Sequence, residues 1–184
     1  MRARLRSLLQ LQALDRMPRT GWIQRGVRDP ESVAAHSFGV ATLALALGPT
    51  VEPPLEVDRA VSLALSHDLG EAVLGDLPRG AAALFPPGAK RAAERAALAD
   101  LLDPLAPLAR ERAEEALAEE SREARFVKLL DGLQLGLRLL AYRRSGQAGL
   151  EEFQEGLRAL DCSAFPPCEE FRAELLAALE ELDG

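Results

Sequence analysis

At 184 residues the chain suits one domain with a sizeable core, because a domain of that length buries roughly two thirds of the surface its unfolded chain exposes. Its 48% apolar share comes mainly from Leu and Ala, and aromatic residues make up only 4%, so the default is an all-α fold. A formal net charge of −7 lacks the broad positive field that DNA, RNA or anionic lipid requires, so neither a nucleic-acid polymer nor a membrane is expected as a partner.

Leu recurs at helical spacing across residues 2–16, which predicts a first helix, and the Pro and Gly of Met17-Pro18-Arg19-Thr20-Gly21-Trp22 should end it. An Arg-rich loop then runs to Asp29-Pro30-Glu31, where Asp29 can cap and Pro30 can take the first helical position of a helix over about 31–48. Gly48-Pro49 and Pro53-Pro54 close that helix, and a third with a strongly apolar face is predicted over 57–74, stopped by Gly75-Asp76-Leu77-Pro78. Residues 79–88 read as an exposed loop. Two polar helices should follow at 89–102 and 105–119, their charged residues forming solvated faces or dimer contacts. The longest pattern, 121–144, is apolar around most of its circumference and should sit centrally. Helices over 149–160 and 167–182 complete the chain, with no repeat, linker or strict period-2 alternation. The expectation is one domain over 1–184, a metal-binding core at about 31–143 with the C-terminal helices packed on it.

No signal-like segment and no apolar stretch near the roughly 20 residues of a membrane span stands out, which predicts a soluble cytoplasmic protein. Cys162 and Cys168, on either side of a Pro-Pro turn, are expected to be reduced thiols.

The sequence holds only two histidines, His36 and His67. At about 100° per residue, His36 shares a helix side with Val33, Val40, Leu43 and Leu47, and His67 shares one with Ala60, Leu63, Ala64, Glu71 and Leu74. A lone buried imidazole is ordinarily satisfied by a backbone carbonyl. Here Asp68 adjoins His67, and Asp131 interrupts the central apolar helix on a narrow polar strip with Gln134 and Arg138. Asp131 could pair with Arg138 or Lys128 instead. One divalent cation held by His36, His67, Asp68 and Asp131 would relieve every one of these burial penalties together. Mixed nitrogen and carboxylate ligands suit Mn²⁺, Co²⁺, Fe²⁺ or Zn²⁺ better than Ca²⁺, and Mg²⁺ is also compatible.

These residues, in the contexts GW-x₂-R-x₄-PESV-x₂-H and HD-x₂-E-x₄-D-x-P followed by Asp131, resemble the H…HD…D signature of the HD-domain superfamily of metal-dependent phosphohydrolases. More narrowly, residues 17–143 resemble the HD-domain 5′-deoxynucleotidases, which remove phosphate from deoxynucleoside 5′-monophosphates. The resemblance implies a compact HD-domain helical bundle, commonly a homodimer, with a small nucleotide as substrate. It maps a catalytic acid onto Glu71, a second functional carboxylate onto Asp76, and onto Trp22 an indole that lines the sugar pocket. Some members carry Arg directly before this Trp, where this chain has Gly21, so the phosphate ligands are expected among Arg19 and Arg25. Two alternatives remain open: an HD hydrolase acting on another nucleotide or a pyrophosphate, and a non-catalytic helical module with a structural metal.

Overall fold

A computed structural model describes residues 2–182. Among them the regular elements are helical: α1 (Ala3–Leu11), α2 (Ala13–Arg16), α3 (Thr20–Gln24), α4 (Val33–Leu47), α5 (Val57–Ser66), α6 (Glu71–Leu74), α7 (Arg79–Ala82), α8 (Ala89–Leu102), α9 (Pro107–Ala118), α10 (Arg122–Arg144), α11 (Glu151–Arg158) and α12 (Pro166–Glu180). The all-α expectation holds.

Local chemistry sets several boundaries. Ser32 Oγ accepts from the Ala35 amide at 3.1 Å and starts α4, and Ser121 Oγ does the same for α10 through Ala124 at 3.1 Å. Pro107 and Pro166 open α9 and α12, where a missing N–H costs nothing. The long α10 is central as expected, packing on α4, α5, α9, α11 and α12. Phe126, Leu130, Leu133 and Leu139 of α10 are fully buried and meet Val40 and Ala44 of α4 and Leu63 of α5 in the main core. A smaller core of Leu98, Leu101, Leu102 and Ala113 holds α8 against α9.

Five expectations need correction. The first predicted helix divides at Gln12. The Arg-rich loop contains α3, and residues 79–88 contain the single turn α7. The third predicted helix stops at Ser66: the Leu69, Glu71 and Ala72 amides bond back only three residues, to Ser66, Asp68 and Leu69, which tightens the chain into turns. Side chains take carbonyls that a longer α5 would have used, with Ser66 Oγ donating to Leu63 O at 3.2 Å and the His67 ring 2.7 Å from Ala64 O. Finally, the 18 residues Val33–Thr50 are long and apolar enough in composition to cross a membrane. In the fold one face of them packs on α2, α5 and α10, and 44% of the 18 residues are buried.

Before α4, an extended bridge pairs Pro18 with Ser32. The Arg19 amide donates to Glu31 O at 3.0 Å and the Val33 amide to Met17 O at 2.9 Å, which fastens Arg19 beside the first turn of α4.

Candidate active site

Three elements bring the four expected ligands to one place. His36 stands on the inner face of α4, His67 and Asp68 follow α5 directly, and Asp131 projects from the middle of α10. His36 Nε2 lies 3.1 Å from Asp131 Oδ1 and 3.9 Å from Asp68 Oδ2, and His67 Nε2 lies 3.2 Å from Asp68 Oδ2. Ligand atoms of His36, His67 and Asp68 all fall within 4.8 Å of one another. Two donors at right angles on one cation, each about 2.1 Å from it, would sit about 3 Å apart. The spacing is that of shared coordination.

The protonation pattern agrees. His67 Nδ1 faces Ala64 O, which only accepts, so the proton is on Nδ1 and the lone pair on Nε2. The Nε2 atoms of both histidines are buried without a hydrogen-bond partner. An imidazole lone pair facing a carboxylate oxygen at this range is unfavourable unless a positive species joins them. This donor set fits a divalent cation, which His36, His67, Asp68 and Asp131 would hold.

Charge balance points the same way. Arg19 Nη1 lies 3.0 Å from Asp68, 3.7 Å from Glu71 and 3.1 Å from Asp76, with Nη2 4.0 Å from Asp131. Lys128 Nζ adds a contact of 3.2 Å to Asp131. Ionised together, four carboxylates would exceed these two cations by two charges (4 − 2). Burial opposes charge on Asp68, but the positive charge beside it, with Arg19 at 3.0 Å, outweighs it and holds the carboxyl below its ordinary range. Asp131 is likewise held low against its burial, with the Lys128 ammonium 3.2 Å away. Glu71 goes the other way: burial, then the nearby Asp68 and Asp76, push it up to about 9 against the pull of Arg19. Two acids with opposed protonation, one cluster apart, are the division that proton transfer requires.

Asp76 shapes the Arg19 segment. Its carboxylate accepts from the Thr20 amide at 2.5 Å and meets Arg19 at 3.1 Å, while Thr20 Oγ1 donates to its carbonyl at 3.0 Å.

On the outer side of the ligands a cavity of about 490 Å³ runs between α8, the end of α9 and the first half of α10. His67, Asp68 and Asp131 line one end, Leu117 and Val127 form an apolar wall, and the border carries Lys90, Arg91 and Lys128 together with Glu94, which pairs with Lys90 at 2.9 Å, and Glu119. Lys90 and Lys128 are the only lysines in the sequence.

A family model described as HD domain matches residues 11–159, which carry the whole cluster. The chain belongs to the HD-domain family. The mouse protein named 5′-deoxynucleotidase HDDC2 is 35% identical over 142 residues, spanning 75% of this chain and 69% of that one. Its human namesake is 36% identical over 145 residues, 74% of this chain and 69% of that one. The crystal structure of the PH0347 protein from Pyrococcus horikoshii OT3 superposes with a TM-score of 0.80 at 31% identity, covering 95% of this chain and 99% of that one.

Within this HD domain two expected substrate contacts stand elsewhere. Arg25 pairs with Glu152 on an exposed surface, because α3 turns it towards α11, away from the cluster. Trp22 has no accessible surface: its indole stacks on Phe153 at 3.7 Å between centroids, meets Tyr142 edge-on, and donates from Nε1 to Glu31 at 3.1 Å. It anchors the core and offers no face to a sugar. Arg19 alone of the two proposed phosphate arginines reaches the site.

Lys90 and Arg91, expected on solvated faces or dimer contacts, and Lys128, expected only as a pairing partner, line the cavity. The scarcity of lysine against twenty arginines was an available signal. Glu31, buried to 6% exposure inside the PESV motif, had no expected role, and Gln134 had none beyond its visible place on the polar strip with Asp131.

Proposed function

We propose that this HD domain is a metal-dependent phosphomonoester hydrolase that converts deoxynucleoside 5′-monophosphates to deoxynucleoside and inorganic phosphate. The observation that carries the reading is the convergence of two unpartnered, buried histidine Nε2 atoms with two carboxylates at the floor of an open cavity bordered by cationic side chains. The relatives named 5′-deoxynucleotidase supply the substrate class.

When bound, the divalent cation supplies Lewis-acid charge neutralisation and acidifies water. The chain's own residues do the rest. Arg19, held by Asp76 and backed by Asp68, presents guanidinium N–H groups to phosphate oxygens. Lys128, which lines the cavity beside Asp131, supplies a second cation for the phosphate. Glu71 in its acid form hands its proton to the nucleoside O5′ as the P–O bond to that oxygen breaks, and takes back the proton that the attacking water releases as the new P–O bond forms. Leu117 and Val127 cover the nucleoside and exclude water from one side.

Phosphate release measured across deoxy- and ribonucleoside monophosphates in Mn²⁺ or Co²⁺ tests the reading. A clear preference for the deoxy series is expected, with Glu71→Ala abolishing turnover while substrate still binds. Equal rates on both series would remove the deoxynucleotide assignment. A second reading, hydrolysis of a nucleotide with further phosphates, is favoured by Lys90 and Arg91 lying along the cavity beyond the ligands, and pyrophosphate release from triphosphates would select it. The same proposal takes the protein to act in the cytoplasm as a homodimer, with light scattering as the test of the dimer.

A further inference from the structure

The two histidines reach the same state by different means. His67 is fixed by a backbone carbonyl, whereas His36 has a side-chain relay behind it. Its far end is Glu31, whose carboxylate can only accept hydrogen bonds. Oε1 receives Trp22 Nε1–H at 3.1 Å, and Oε2 receives Arg138 Nε–H at 2.9 Å and Gln134 Nε2–H at 2.8 Å. The Glu31 amide is tied down as well, donating to the Tyr142 hydroxyl at 2.7 Å.

An acceptor-only neighbour decides which way the Gln134 amide points. Its NH₂ must turn to Glu31, so its Oε1 faces the other way, 2.5 Å from His36 Nδ1. An oxygen there requires the imidazole proton on Nδ1. The lone pair is then left on Nε2, the atom 3.1 Å from Asp131 Oδ1. Space for the relay comes from Gly39, on the same helix as His36: a Cβ at that position would lie 2.9 Å from Gln134 Cγ and Nε2. His36, Gln134 and Glu31 are all buried, with relative exposures of 0%, 3% and 6%, so water does not compete for these bonds.

We propose that Glu31 and Gln134 are positioning residues that hold His36 in the Nδ1–H tautomer, so that Nε2 is available to a divalent cation. The inference rests on the metal site and not on the identity of the substrate. Trp22 and Arg138 belong to the relay through Glu31, which gives the buried tryptophan a role in metal binding at a distance. Without Gln134, the acceptor beside the ring is Asp131 Oδ1, and it draws the proton to Nε2, where it blocks coordination.

Imidazole ¹⁵N chemical shifts of the metal-free protein read the tautomer directly, and with two histidines in the chain the spectrum is simple. In the wild type, with both rings neutral, His36 and His67 should each show a protonated Nδ1. In Gln134→Leu, His36 should switch to Nε2–H while His67 keeps its pattern as an internal control. Co²⁺ titration of the same samples should show affinity falling about 10- to 100-fold. The paired exchange Glu31→Gln with Gln134→Glu moves the acceptor-only group next to His36 and should restore both the Nδ1–H signal and most of the affinity, which a loss of packing alone would not do. A wild-type His36 protonated on Nε2 overturns the proposal, whether or not any variant folds. So does a Gln134→Leu protein that keeps the Nδ1–H tautomer or binds Co²⁺ within twofold of wild type. None of these readouts involves turnover, so failure here and failure of the deoxynucleotidase reading are separate results.

Discussion

Consider Glu71→Gln in protein stripped of divalent cations. In the unfolded chain this glutamate ionises near 4.5, and in the fold it is pushed up to about 9 by burial and by Asp68 and Asp76. Between those values the unfolded state has released a proton that the folded state keeps, so stability is full below the lower value and falls as pH rises towards the upper one. The slope from this group is about 1.4 kcal/mol per pH unit, and at pH 7 the interval from 4.5 gives about 3 kcal/mol of lost stability. Gln has nearly the same shape and no proton to lose. The variant should therefore match wild type near pH 5 and exceed it by up to about 3 kcal/mol at pH 7, while turnover in restored metal collapses. Urea unfolding in chelator at several pH values between roughly 5 and 8 provides the comparison. A stability difference that does not grow with pH would show that Glu71 is ionised in the fold and would refute its assignment as the proton donor.

Other expectations follow from the same geometry. Lys128→Gln removes a partly exposed cation beside Asp131, so KM should rise about 5- to 10-fold with a smaller change in kcat; an unchanged KM would take Lys128 out of the phosphate site. Adding Mn²⁺ at 100 times its Kd to chelator-treated protein should stabilise it by about 2.7 kcal/mol, seen as a rise in Tm, because the unfolded chain does not assemble the ligands. Cys162 and Cys168 are free, buried thiols pushed up to about 11 and about 12 by that burial. They should resist thiol reagents at pH 8 in the native protein and react at once in denaturant, and rapid native labelling would contradict their burial. Since the unfolded thiols ionise near 9.0 and the folded ones do not, stability should also decline above that pH.

Periodicity and residue type made the helical class, the central place of α10 and the four clustered residues His36, His67, Asp68 and Asp131 legible in the sequence. Two histidines on apolar faces, an aspartate beside one and another inside an apolar helix, are costly unless they share a cation, and that argument needs no coordinates. What the sequence could not decide was direction in space over long separations. The end of α5 at Ser66 depends on side chains capturing its last carbonyls, so the 57–74 pattern read as one helix. Arg19 and Arg25 look alike in sequence. Only the bridge to Glu31 and Ser32 sends Arg19 into the carboxylates, and only the turn of α3 sends Arg25 to Glu152. Trp22 and Glu31 lie nine residues apart, yet Gln134, 103 residues beyond Glu31, joins them to His36. Local pattern carries burial and chemistry, because those are properties of a residue and its helix face. Which side chains finally meet is set by how α3, α4 and α10 pack, and tertiary structure alone decides that.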